Sequence, residues 1–374
     1  MTVKIKQIAE EIAMDEQGQE YIITQEGRGA NEKIWIRKIG GSELDAFLIR
    51  FSSHPKKPTA IHELSLYNEV ICSKLCDKLN LYHVPYKMCE YTDIDQKVHT
   101  AVICPNYKES TKHRETNGKT LLENYQGSFY DNNFGQIPEL PINTVYTYLE
   151  LIKSRYESRR MIMSEETKNR LLEEMLTLAL FDFSTCQIDR HWKNIGWLNN
   201  NFFDDNKFRI WLLPIYDNEC SFLLDEATPN DIEKMVGLIH NPKKKHNFVE
   251  MINRKKYNSP YLGIKTPLVR LKDGSDSFLV PCSDTNNMSN AMIAAKELAE
   301  EICNRPNLET IYNKIANFDI NKFLDEITFI PESQAQVKEI YSFVWNTRVG
   351  LLKDAMEKRK QEITGEQNND KSLS

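Results

Sequence analysis

No pair of cysteines in this 374-residue chain is spaced as CxxC, and the eight cysteines are scattered. That spacing excludes a zinc ribbon, and nothing in it suggests a disulfide framework, so the thiols are read as reduced. Cys72 and Cys76 stand four apart on a predicted helix with His62 and His83 nearby; no second closely spaced ligand pair accompanies them, which favours packed thiols over a metal site. The chain also lacks an uninterrupted apolar run of membrane-spanning length, and its first residues, MTVKIKQIAEEIAMDEQ, carry acids where a signal peptide would be apolar. A cytoplasmic protein with no membrane span is expected, or one exported without such a signal. A surplus of positive charge is missing too: the net charge of -6 argues against a general nucleic-acid binder. No internal repeat is found. What remains is an ordinary globular composition, 40% hydrophobic and 27% charged, in a chain long enough for two lobes.

The pattern changes along the chain. EYIIT, KIWIRKIG and DAFLIRF, from Tyr21 to Phe51, are strand-like and separated by glycine-bearing turns. AIHELSLYNEVICSKLCDKLNL has helical spacing, and YHVPYKMCEY and KVHTAVICPNY return to strand. Residues 1–107 therefore predict a small β-rich lobe carrying one helix, its first strand at Tyr21. Residues 108–140, polar and turn-rich, predict a connection. Residues 141–360 predict a larger, mainly helical lobe, and 361–374 a disordered tail. Ser164 is the candidate N-cap of a helix whose second half, Leu171 to Phe183, is apolar nearly all round and should run through the middle of that lobe. A hairpin, NIGWL and FRIWLLPI, follows it. The fold class is α+β, with two lobes.

Polar groups gather around that hairpin. FDFSTCQIDRHWKNIGWL places Asp189, His191 and Asn194 between two apolar elements, and Asp217 ends the second hairpin strand in IYDNECSF. Because the hairpin folds back, Asp189, Asn194 and Asp217 can converge. One carboxylate to orient an acceptor hydroxyl and two oxygen ligands for metal are what magnesium-dependent phosphoryl transfer needs. The spacing D-x-x-x-x-N is weak alone, since Asp225 and Asn230 repeat it; the apolar helix before and the hairpin between give it weight. Loop residues capping local backbone are the alternative. His191 reads better as a hydrogen-bonded brace than as a base or ligand.

The first lobe offers a matching half. In EGRGANEK, Gly27 and Gly29 let backbone N–H groups approach phosphates, and Lys33 adds charge. Arg50, on a strand, and Glu69, in the following helix, fit a cation held toward phosphates by a helix carboxylate, or else a surface ion pair. ICPNY, with Cys104 and Asn106, would be a hinge bonding adenine through its backbone. A basic cluster, Lys243, Lys244, Lys245, Arg254, Lys255 and Lys256, suits either an anionic acceptor or a solvated surface.

Through GANEK, FLIRF with Glu69, DRHWKN and IYDNECSF, spanning Tyr21 to Leu224, the chain resembles the HipA-like branch of atypical serine/threonine protein kinases, itself distantly similar to phosphoinositide 3/4-kinases. The resemblance implies a two-lobed kinase fold of the minimal single-chain type, ATP and Mg2+ as cofactors, and a protein substrate with a serine or threonine acceptor. An antitoxin-like partner is also implied. It assigns Asp189 as catalytic, Asn194 and Asp217 to magnesium, and Gly29, Ala30, Asn31, Lys33, Arg50, Glu69, Cys104 and Asn106 to the nucleotide. Arg50 stands where the family usually has lysine, which is a change of geometry as well as of size. A lipid or small-molecule kinase and an ATP-binding pseudokinase are the other readings.

Overall fold

The computed structural model describes residues 2–25, 33–52, 60–108, 110, 114–117, 144–157, 163–187, 190, 194–199, 210–224, 227–254 and 290–372. Gly29, Ala30, Asn31, Asp189 and His191 lie outside these residues, as do Lys255 and Lys256 of the basic cluster.

Seven strands near the N-terminus close into a barrel: β1 (Val3–Ala9), β2 (Ile12–Asp15), β3 (Glu20–Gln25), β4 (Lys33–Lys38), β5 (Ala46–Phe51), β6 (Lys87–Thr92) and β7 (Val98–Pro105). The order around it is β1-β2-β3-β4-β5-β7-β6. All neighbours are antiparallel except the closing pair, where β1 runs parallel to β6 from Val3 opposite Cys89 to Lys6 opposite Thr92. The expectation that the first strand begins at Tyr21 is therefore corrected. VKIKQIA alternates apolar and polar residues, as a half-buried strand does, and its partner β6 is some eighty positions away in sequence, so no local turn signal announces the pairing.

The alternation of side chains sorts the barrel into two cores. Ile5, Ala13, Ile36, Ile49 and Ala101 fill its interior. Leu48, Met88, Val102 and Cys104 point outward into the main core, where α1 (Glu63–Leu79) lies. Thirteen residues of α1 are buried, among them Cys72 and Cys76. Burial pushes both thiols up, which disfavours the thiolates that a metal would need. The helix stops at Asn80, whose left-handed φ of 58° lets its N–H reach the carbonyls of Cys76 and Asp77.

Beyond the barrel come α2 (Val145–Glu157), α3 (Glu165–Thr185), α4 (Pro229–His240), α5 (Lys245–Arg254), α6 (Asn290–Cys303), α7 (Pro306–Ala316), α8 (Ile320–Asp325) and α9 (Gln336–Ser372). Ser164 caps α3 as predicted, its Oγ accepting from Thr167 N at 3.2 Å with Glu165 and Glu166 in the first turn. Every residue from Leu178 to Thr185 is buried. The predicted hairpin is β9 (Gly196–Asn199) with β10 (Ile210–Leu212), Trp197 facing Leu212. A further strand, β8 (Arg114–Asn117), joins β9 on its other side; it falls in the segment read as a connection, where four polar residues carry no apolar alternation. Gly196 is where these layers meet: a Cβ there would lie 2.6 Å from Leu213 Cδ1 and 3.1 Å from Thr116 O. Gly196→Ala should cost about 1–3 kcal/mol, read as a lower denaturation midpoint at unchanged slope.

Residues 361–372, expected as part of a disordered tail, continue α9 to Ser372. Glu, Lys and Gln there have good helix propensity, and the lone Gly365 is too small a penalty to stop a helix already anchored by buried Val337, Ile340, Tyr341, Val344 and Met356. No helix among the described residues is long and apolar enough to cross a membrane.

Candidate active site

Arg50 is the meeting point. In the β4–β5 register it sits directly opposite Lys33, so both side chains leave the same face of the sheet, away from the barrel interior held by Ile34 and Ile49. That face turns toward α1 and the segment after β10. Arg50 is 4% exposed, and its guanidinium reaches three carboxylates: Glu69 at 2.8 Å, Asp217 at 3.2 Å and Glu219 at 3.3 Å. The pair with Glu69 is therefore buried, and the surface alternative is ruled out. Arg50 Nη2 and Glu69 Oε1 lie close without the alignment of a hydrogen bond, so this contact is chiefly ionic.

Two neighbouring residues of α1 hold the other side. Glu69 Oε2 accepts from the backbone N–H of Asn218 at 2.9 Å. Asn68 Nδ2 donates to the carbonyls of Glu219 and Ser221 at 2.6 and 2.9 Å, while Asn68 Oδ1 accepts from Tyr341 Oη of α9 at 2.7 Å. The Asp217 carbonyl accepts from Gln187 Nε2 at 2.9 Å. Asp217 itself has a φ of 56°, a left-handed conformation that aspartate tolerates. Phe222 and Leu223, at 60° and 66°, have no such licence. The segment is thus strained backbone kept in place by buried side-chain bonds.

The charges do not balance: three carboxylates converge on one guanidinium, leaving a surplus of anionic charge. Burial pushes the Glu69 carboxyl up, Arg50 pulls it down, and Asp217 pushes it up again, for a net rise to about 7. Burial would lower the Arg50 guanidinium; the carboxylates, Glu69 first, outweigh it and raise it well above the ordinary arginine value, so the cation is permanent.

Asn194 is 9% exposed at the entry to β9. Its backbone is linked to the residue before Asp217 through Arg190, whose Nη1 donates to the carbonyls of Asn194 and Tyr216. Cys104 lies on the same outward face as Arg50, and burial pushes its thiol up to about 12. Asn106 stands beyond the end of β7: its N–H donates to Ala46 O, its Nδ2 to Glu43 O at 3.0 Å, and its Oδ1 accepts from Lys108 N. Its side chain is thus engaged in pinning the start of β5. Arg50, Glu69 and Asp217 are brought into contact, Lys33 lies beside them, Asn194 joins through Arg190, and Cys104 and Asn106 sit further along β7. Sequence reasoning missed Asn68, Glu219, Asn218, Gln187, Asp182 and Arg190. Arg190, Asn218 and Glu219 were inside the motifs DRHWKN and IYDNECSF, within two residues of Asp189 and Asp217; Asn68 adjoins Glu69; Asp182 carried the one usable signal, a charge within the apolar run Leu178 to Phe183.

Among the described residues no three His, Cys, Asp or Glu side chains are grouped as a metal site. A magnesium ion nonetheless fits beside Asp217 on two grounds: its carboxylate is the kind of hard oxygen donor the ion prefers, and the ion's charge would offset the anionic surplus around Arg50. An ion that keeps several waters and takes phosphate oxygens needs few ligands from the protein.

No family model and no curated protein sequence matches the chain. Solved structures do. The chain is similar to a Helicobacter pylori proinflammatory kinase, CtkA, with a TM-score of 0.60 and 14% identity over 91% of this chain and 96% of that one. It also matches HipA of Shewanella oneidensis, solved with HipB and operator DNA, at a TM-score of 0.47 and 13% identity over 89% of this chain and 67% of that one. Over nine-tenths of its length the protein thus has the α+β fold of CtkA.

Proposed function

We propose that the protein is an ATP- and magnesium-dependent serine/threonine protein kinase of HipA-like type. The observation that carries the reading is the buried contact of Arg50 with Glu69 and Asp217, which joins a strand cation, a helix carboxylate and a candidate metal ligand. A guanidinium shared among three carboxylates leaves an anionic surplus that a divalent cation would offset, and that cation would in turn bring phosphate oxygens to the site.

In this reading Arg50 and Lys33 bind the phosphates from the face of the barrel sheet. Arginine suits phosphate binding here because its planar fork already reaches partners in three directions, and it can exchange a carboxylate for a phosphate oxygen without moving its stem. Glu69 keeps the guanidinium aimed, while Asn68, Gln187 and the Glu69–Asn218 bond keep Asp217 in its left-handed turn. Asn194 and Asp217 would hold the magnesium, which when bound supplies charge neutralisation at the phosphate oxygens. Asp189, in the loop between α3 and β9, orients the acceptor hydroxyl and accepts its proton. Gly29, Ala30 and Asn31 would add backbone N–H groups over the phosphates, and the β7 end near Cys104 and Asn106 would meet the adenine.

The acceptor is tested with γ-labelled ATP and magnesium, incubating the full-length protein with casein or with phosphoinositide vesicles beside Asp189→Asn. Label in casein that disappears in Asp189→Asn is the expected result. Label in lipid would instead make the exposed lysines Lys243, Lys244 and Lys245 relevant and the protein a lipid kinase. Nucleotide binding without transfer to any acceptor would leave a pseudokinase.

A further inference from the structure

One buried side chain has more to do in this site than its place in the motif suggests. Arg190 is 1% exposed, and every one of its five N–H groups has an acceptor. Nε and Nη2 donate to the two oxygens of Asp182, each at 2.9 Å, in a forked pair between α3 and the loop that follows it. Nη2 also donates to Asn218 Oδ1 at 2.9 Å. Nη1 donates to Tyr216 O at 2.6 Å and to Asn194 O at 3.4 Å. Besides Asp182, its acceptors are thus the backbone of Asn194 and the residues on either side of Asp217. Asp182 is rigid in turn, lying in the fully buried last turn of α3, whose C-cap Cys186 bonds back to its carbonyl.

We propose that Arg190 is a positioning residue that fixes the separation of Asn194 from Asp217, and so sets the bite with which the chain grips a divalent cation. The proposal rests on the kinase reading above. Asn194 enters from the loop after α3 and Asp217 from the strained turn after β10; Arg190 bonds the backbone of Asn194 and both neighbours of Asp217, while Gln187 adds a single bond to the Asp217 carbonyl. Its fork is needed for that. A lysine would keep the charge opposite Asp182, but three donors on one nitrogen cannot serve acceptors on three sides of a plane. Arg190 bonds neither Arg50 nor the Glu69 carboxylate directly and reaches that pair only through Asn218, so its loss should fall mainly on the magnesium-dependent part of nucleotide binding.

The test measures binding of a fluorescent ATP analogue to the full-length wild type, Arg190→Lys and Asn218→Ala, each with EDTA and across a magnesium titration. The wild type is expected to bind in EDTA and to gain affinity with magnesium. Arg190→Lys should keep the EDTA affinity within about threefold, lose about tenfold or more of the magnesium-dependent gain, and need more magnesium for half its effect. Asn218→Ala, which removes one tether and leaves no unpaired charge, should shift the same way by a smaller factor, and it decides the matter if Arg190→Lys does not fold. Equal magnesium gains in the wild type and the folded variants would overturn the proposal, as would a loss of the same factor with and without magnesium, the mark of a merely structural residue. Absence of any magnesium gain in the wild type overturns the kinase reading itself, and shows before any variant is compared.

Discussion

Arg50→Met should destabilise the protein by about 3–5 kcal/mol at pH 8 and abolish phosphotransfer. The substitution keeps an apolar stem of similar length but strands Glu69, which is fully buried, beside Asp217 and Glu219. A buried carboxylate without its cation is among the costliest single defects a core can carry. The loss should shrink on acidification. In the wild type the folded pKa of Glu69, about 7, lies above the ordinary glutamate value of 4.5. Between those values the folded protein binds more protons than the unfolded chain, so stability is fully present below about pH 4.5 and declines as pH rises through 7. Without Arg50 the carboxyl shifts further up, and protonation at pH 5.5 relieves most of the penalty. Urea unfolding of both proteins at pH 8 and pH 5.5 measures this. A difference of under 1 kcal/mol at pH 8, or one unchanged at pH 5.5, would contradict the placement of Arg50 at the centre of an anionic cluster.

Asp217→Asn should do the opposite to stability and the same to activity. Asparagine tolerates the φ of 56° and keeps the side-chain shape, so the turn is preserved. Removing one carboxylate from a surplus lets Glu69 ionise more easily, since Asp217 is one of the charges that push it up. Thermal stability at pH 8 should equal or exceed that of the wild type. Phosphotransfer, by contrast, should fall by at least about a hundredfold, more than loss of a group supporting a metal ligand usually costs. Stability gained while activity is lost is the behaviour of a residue kept for function. Stability and activity falling together would make Asp217 a structural turn residue instead.

The parts of this site differ in how legible they were. Motifs carried in short stretches could be read directly: Asn194 and Asp217 flank a hairpin whose two strands are consecutive, and the buried half of α3 announces itself by its run of large apolar residues. Arg50 and Glu69 could be paired because strand and helix are neighbours in sequence. What escaped depends on contacts across long separations. Asn68 bonds Tyr341 of α9, β1 closes on β6, and β8 joins β9 from a polar segment whose four residues show no alternation. Asp182 and Glu219 were visible as charges, but only the folded chain brings them to Arg190 and Arg50. The tail failed for another reason: composition alone does not say whether a polar segment continues a helix already anchored by its earlier turns.

The claim beneath all of this is that the anionic cluster around Arg50 receives a divalent cation together with a triphosphate. Calorimetric titration of the wild-type protein with ATP, once in EDTA and once in excess magnesium, measures it most directly. Affinity about tenfold or more tighter with magnesium, and no such gain in Asp217→Asn, is the predicted result. Equal affinity under both conditions, or the same gain in Asp217→Asn as in the wild type, would contradict it.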